Sequence, residues 1–257
     1  MPQGGNDNPD PWEPLNRKVF DFNNALDDAV IRPVALAYRN VVPQVLRDRL
    51  RAFVDNLAEP RIFANDLLQG RLEAAGITLN RFFLNSMVGV GGLFDIASTR
   101  GLDRQTGDFG QTLYAWGVPD GPYVVVIFFG PSNVRDTVGL GVDLYTTPPG
   151  IVFDNTNFFD RNVSQEISIS LGIVDGIDLR ARNIETLDQI KASAIDYYSH
   201  MRSIWRQYRQ GQLNQVRKQP EEPLELEDPG ATQSGGTPNA PPPAGPMPPS
   251  GPAGPPR

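Results

Sequence analysis

The sequence contains no cysteine and a single histidine, His200. Without thiols there is no disulfide framework, no cysteine nucleophile and no cysteine-ligated metal. One histidine cannot build a multi-histidine metal site, and the GxSxG elbow that would give it a serine partner is missing. His200 therefore reads as an ordinary surface or interface residue. The carboxylate pairs Asp10/Glu13 and Asp95/Asp103 stand at spacings found in any chain, and nothing in the sequence places either pair for acid–base work. No catalytic, cofactor-binding or metal-binding residue is expected, and the chain does not read as an enzyme. Long apolar runs are lacking too. The longest, Tyr123 to Phe129, has the length of a strand and falls far short of the ~18 to 20 residues that a membrane-spanning helix requires. With a formal charge of −7 there is no basic surplus to neutralise a phosphate backbone, so nucleic acid is not an expected partner.

Composition divides the chain near Pro220. Residues 220–257 hold 13 of the 25 prolines and no aromatic residue. Such a segment cannot build a core, and it reads as a disordered tail, acidic and then Pro/Gly-rich, that acts as a spacer or, in a second reading, as a docking segment for a partner. Residues 1–11 are polar, without the apolar centre of a secretory leader. They read as a flexible N-terminal segment, either of a cytoplasmic chain or of one whose leader has been removed. Between them, residues 12–219 make one domain.

Within that domain helices dominate. After Pro14, apolar residues fall at Leu15, Val19, Phe22, Leu26 and Val30, which traces one helical face. Pro33, Pro43 and Pro60 each restart such a pattern, and each proline disfavours helical backbone in the residue before it. Four separate helices meeting at sharp corners are expected, the last closed by Gly70. A fifth amphipathic helix spans Leu72 to Met87. GVGGLF (Gly89 to Phe94) lacks the lysine and hydroxyl of a phosphate loop and reads as a helix terminator and close-packing corner. DFGQTLYAWGV reads as a short helix, and PDGPYVVVIFFGPSN as an extended loop or hairpin between turns. A helix from Val134, an irregular stretch over Thr147 to Asn162 and a long helix from Ile184 to Arg217 complete a mainly α fold. The aromatic residues cluster near helix ends and in the irregular middle, including Phe153, Phe158 and Phe159. Their packing into a core and their exposure to acyl chains are both compatible with the periodicity.

The blocks DPWEPLNRKVFDFNNALDDAVIRPVALAYRNVVP, FVDNLAEPRIFANDLLQG, NRFFLNSMVGVGGLFDIAS, DFGQTLYAWGVPDGPYVVVIFFGPSNVRD and VDGIDLRARNIETLD resemble, in this order, the MlaA (VacJ) family of outer-membrane lipoproteins. They cover most of Asp10 to Arg209. One departure is Ile127, where that family often has proline. The resemblance implies a ring-like arrangement of short amphipathic helices in the inner leaflet of the outer membrane, at its periplasmic face. It also implies a lipid anchor on a cysteine preceding Met1 and a central channel. Through that channel phospholipid misplaced in the outer leaflet would be withdrawn and passed to a periplasmic, MlaC-like carrier, with trimeric porins as associates. Phe82, Phe83, Phe94, Tyr123, Val125, Ile127, Phe128 and Phe129 are the candidates for channel lining or membrane contact. A helix of ~17 residues is about 25 Å long, more than the roughly 15 Å of one leaflet, so these helices should lie in the membrane plane. Two other readings carry different expectations. A structural adaptor for porins would hold no lipid, and a phospholipase would need a nucleophile that the sequence does not display.

Overall fold

A computed structural model describes residues 10–146 and 161–217. The chain divides into two compact units, Met1–Pro220 and Glu221–Arg257, and every described residue belongs to the first. Nearly all of the expected N-terminal segment, the double-proline stretch and the Pro-rich tail lie outside the described residues, as do Phe153, Phe158 and Phe159.

The elements run α1 (Glu13–Leu26), a π-helical turn (Asp27–Ile31), α2 (Arg32–Val41), α3 (Gln44–Leu68), α4 (Leu72–Met87), α5 (Ile96–Thr99), α6 (Phe109–Ala115), β1 (Tyr123–Val126) and β2 (Gly130–Asn133). They continue as α7 (Val134–Tyr145), α8 (Arg161–Arg182), α9 (Ile184–Ser193) and α10 (Tyr197–Arg217). The fold is mainly α with one hairpin. Among the described residues no helix is long and apolar enough to cross a membrane.

Two of the four expected proline-marked helix starts are absent. Pro33 sits inside a helical run that continues from α1 to α2 through the π-turn, where the Arg32 amide donates to the Asp27 carbonyl, five residues back. The widened turn falls where proline would otherwise break the hydrogen-bond register. Pro60 lies within α3, beside the fully buried Glu59. An interior proline costs about 3 kcal/mol, and the helix persists because α4 packs along it. The long helix expected over Ile184–Arg217 is instead broken at Ala194, whose backbone is extended (ψ 128°). Asp196 restarts it: one carboxylate oxygen accepts from the Ser199 amide at 3.2 Å and the other from the Ser199 hydroxyl at 2.7 Å. Arg17 of α1 then holds Asp196 at 2.7 Å, well below the usual carboxylate range, through these hydrogen bonds.

The hairpin is seated on α1 by two asparagines. Asn16 donates to the Tyr123 carbonyl (3.1 Å) and accepts from the Val125 amide (2.9 Å). Two helical turns later Asn23 repeats the arrangement, donating to the Val126 carbonyl and accepting from the Phe128 amide, both at 3.0 Å. Each side-chain amide stands in for a peptide unit of a third strand. Below lies an aromatic core of Phe20, Tyr123, Val125 and Tyr198, with Tyr123 edge-on to Trp205 at 5.6 Å. Asn16→Ala strands a buried carbonyl and a buried amide, each worth about 1–3 kcal/mol when unpartnered. A loss of that order in urea denaturation is expected, with a smaller loss for the less buried Asn23→Ala.

Candidate lipid-facing site

The burial pattern inverts the usual order. Arg81, Glu59, Asp66, Thr78, Gln111, Thr112 and Asn133 are nearly or fully buried, while Leu15, Phe22, Phe83, Met87, Val90, Phe128, Phe129 and many other large apolar residues are exposed. The charges inside are paired. Arg81 donates to Glu59 at 2.9 Å and also reaches Asp95, Ser98 and the Leu102 carbonyl, so it ties α3 and α4 to the loop that carries α5. Burial drives the Glu59 carboxyl upward against the pull of Arg81. Asp66 accepts from Arg71 and Thr78 in the same α3–α4 seam.

Large apolar side chains left outside fall into two groups that contain sequence-named candidates. Phe83 and Phe94 flank the turn after α4 together with Met87, Val88 and Val90, all exposed; Phe82 is half-buried against Phe83. This turn is a close-packed corner. A side chain at Gly89 would strike the Phe94 and Asn85 carbonyls at 2.2 and 2.4 Å, and one at Gly92 would strike Asn56 at 2.6 Å. The second group is the hairpin tip, where Ile127, Phe128 and Phe129 connect the strands and are 49%, 69% and 55% exposed. Phe128 holds a left-handed backbone (φ 69°), a strained state for an aromatic residue. It stacks edge-on with the exposed Phe22 of α1. Tyr123 and Val125 depart from the expectation. Strand alternation turns both inward, and at 0% and 7% exposure they belong to the aromatic core.

Beneath Phe129 lies a cavity of about 310 Å³. Among the described residues its lining includes the apolar Phe129, Pro131, Leu140, Trp205 and Tyr208 and the charged Arg61, Arg209, Asp108, Asp136 and Asp143. Helix starts place two of these groups, Asp108 and Asp136. Asp108 caps α6 and Asn133 caps α7, each accepting from the amide three residues on at 2.7 Å. The α6–α7 crossing is tight, since a Cβ on Gly139 would lie 2.4 Å from the Gly110 amide nitrogen. Arg209 of α10 bridges Asp108 and Asp136 at 2.6 to 2.9 Å. Burial opposes ionisation of Asp108, yet the Arg209 hydrogen bonds and charge outweigh it and hold the carboxyl below its usual range. Asp143 is pushed upward by burial, against Arg61 at 3.2 Å and the Phe109 amide at 3.0 Å.

Of the sequence-named candidates among the described residues, only Phe129 borders this cavity. The charged members and Asn16 and Asn23 were not anticipated. The patterns DFGQ and NVRD are the signals that could have marked Asp108, Asn133 and Asp136 as helix-start residues, but nothing in spacing joins them to Arg209. His200 is exposed on α10. The carboxylates weighed as acid–base pairs take separate structural partners: Tyr198 and Asn16 for Asp10, Arg17 for Glu13, Arg81 for Asp95.

A helical body with paired charge inside, apolar residues outside and a cavity of mixed lining under an apolar hairpin tip is an arrangement suited to a protein of a lipid interface. The chain belongs to the MlaA lipoprotein family, whose model matches residues 8–212. It is 34% identical over 193 residues to an intermembrane phospholipid transport system lipoprotein of Shigella flexneri, covering 73% of this chain and 72% of that protein. The protein of that name from Haemophilus influenzae is 31% identical over 209 residues, covering 80% and 79%. An uncharacterised Rickettsia typhi protein is 39% identical over 151 residues, 58% of this chain, and the chain spans 59% of its length. A solved structure determined to explain the maintenance of bacterial outer membrane lipid asymmetry matches with a TM-score of 0.68 at 33% identity, covering 80% of this chain and all of that one.

Proposed function

We propose that this protein withdraws misplaced phospholipid from the outer leaflet of the outer membrane through a channel in its helical body and delivers it to a periplasmic, MlaC-like carrier. The body, residues 12–219, lies in the inner leaflet at the periplasmic face, held by a lipid anchor and associated with trimeric porins, and residues 220–257 act as a spacer. The observation that carries this reading is the inverted burial: Arg81, Glu59 and Asp66 sealed inside, Phe83, Met87, Phe128 and Phe129 facing outward. Water is a poor solvent for such a surface, whereas acyl chains are a good one. The relatives named for phospholipid transport and the structure concerned with lipid asymmetry support the direction of the argument. No lipid bond breaks in this scheme, and the protein is not an enzyme.

Deleting the gene is expected to leave phospholipid in the outer leaflet and to sensitise cells to detergent; unchanged asymmetry in the deletion strain rejects the proposal. Protein purified in mild detergent should carry phospholipid near stoichiometry. A porin adaptor would carry none, and a phospholipase would release fatty acid or lysolipid.

A further inference from the structure

Among the described residues, only Val90 and Phe128 hold a left-handed backbone without being glycine. Both stand at exposed apolar tips. Phe128 belongs to the hairpin, whereas Val90 (φ 56°) opens a left-handed run in the turn between α4 and α5 that continues through Gly91 (φ 70°) and Gly92 (φ 95°). Glycine enters this region freely, but a β-branched residue there is a strained outlier, and such strain persists only where something offsets it. Core packing does not, because Val90 is 64% exposed. Its neighbours Met87, Val88 and Leu93 are exposed as well. The turn therefore holds an apolar side chain outward in a conformation that glycine would adopt without strain. A cation borders this surface. Arg49 of α3 lies over the Phe94 ring, 4.2 Å from its centroid, and among the described residues no carboxylate stands within ion-pair distance of it. Arg51, two residues on, is by contrast paired with Asp48 and Asp178. One turn before Arg49, on the same face of α3, Val45 and Leu46 are exposed.

From these features we infer that the α4–α5 turn is an insertion loop for a phospholipid bilayer, with Val90 entering the acyl region and Arg49 binding a lipid phosphate beside it. The inference rests on the lipid-interface reading above and adds the segment that enters and the group that meets the phosphate. Acyl chains solvate an outward valine that water solvates poorly, which is the offset that the strained backbone lacks within the protein. Arg49 keeps its apolar stem among apolar neighbours while its planar fork of donors suits a phosphate. A bilayer supplies both partners at once, a layer of phosphates directly above an apolar phase. The pairing of one cation that has no carboxylate partner with a wide apolar surface matches that order.

The chain holds no cysteine, so Val88→Cys creates a single labelling position within the turn. The full chain, carrying an environment-sensitive fluorophore there, is diluted from mild detergent into vesicles of phosphatidylethanolamine and phosphatidylglycerol, and bound protein is separated by flotation. A blue shift of the fluorophore on binding is expected. Val90→Gly should weaken partition about tenfold while its urea midpoint stays level or rises, since one change removes the apolar contact and relieves the backbone. Arg49→Gln should weaken partition about fivefold, the usual worth of one cation at an anionic lipid surface. Unchanged partition in either variant, or a fluorophore that stays in water, overturns the inference, while flotation of the unaltered chain leaves the lipid-interface reading standing. A urea midpoint lowered by Val90→Gly would make Val90 a packing residue and overturn it too. Dimers in detergent that Val90→Gly dissolves, with flotation unchanged, would give this face to a second copy and overturn it as well. An unaltered chain that does not float overturns both readings.

Discussion

Replacing Arg81 by methionine is expected to destabilise the helical body by about 3–5 kcal/mol, the typical result of removing one partner of a buried ion pair. Glu59 has no exposure at all and takes its charge-assisted hydrogen bond from Arg81. Without that partner it must stay ionised and uncompensated or take up a proton. The pH dependence follows from the direction of its shift. The folded-state carboxyl is already raised by burial, and losing Arg81 raises it further. Between its unfolded and folded values the folded state binds more protons, so stability falls as pH rises through that window. The deficit of Arg81→Met should thus be largest near neutrality and shrink on acidification. The double variant Arg81→Met/Glu59→Gln should recover much of the loss at neutral pH, because the buried charge is then gone. Urea denaturation across pH measures both. A deficit independent of pH would show that Glu59 is not the group left stranded.

Phe128→Asp carries the largest expected effect on function. The residue is 69% exposed at the hairpin tip, and its backbone stands at φ 69°, a region that aspartate enters more readily than phenylalanine. The substitution should therefore spare the fold. A carboxylate at membrane depth costs about 2.5–3.5 kcal/mol on insertion scales, enough to lift the tip from the acyl region. Cells carrying Phe128→Asp should resemble the deletion strain in detergent sensitivity at wild-type protein levels, while Phe128→Leu restores protection. Full protection by Phe128→Asp would remove the hairpin tip from the lipid contacts.

Elements with local signals were legible in the sequence. The Leu72–Met87 helix, the short helix at DFGQTLYA and the hairpin, which follows one Gly-Pro and begins its second strand with another, all carry periodicity or punctuation within a few residues. Proline misled twice, at Pro33 and Pro60, because a π-turn and the packing of α4 override a rule that describes isolated helices. The direction of each apolar stripe was not legible, since an apolar face reads the same whether it meets a core or a bilayer. Tyr123 and Phe128 show the consequence: five residues apart in one apolar run, one is fully buried and the other is among the most exposed aromatic residues described. The asparagine seating and the Arg209 bridges join residues roughly a hundred positions apart, and no spacing rule reaches that far.

The asparagine seating also closes an edge of the hairpin. A bare two-stranded hairpin offers an open ladder on each side, which invites another chain to add a strand. Here Asn16 and Asn23 occupy the β1 side from helix α1. On β2, Pro131 lies opposite Val125, whose amide is already turned toward Asn16, so proline stands at an outward position where it has no N–H to give. Both margins of the hairpin are closed while its apolar tip stays open. The hairpin can thereby expose Ile127, Phe128 and Phe129 without also presenting a template for fibril-like pairing.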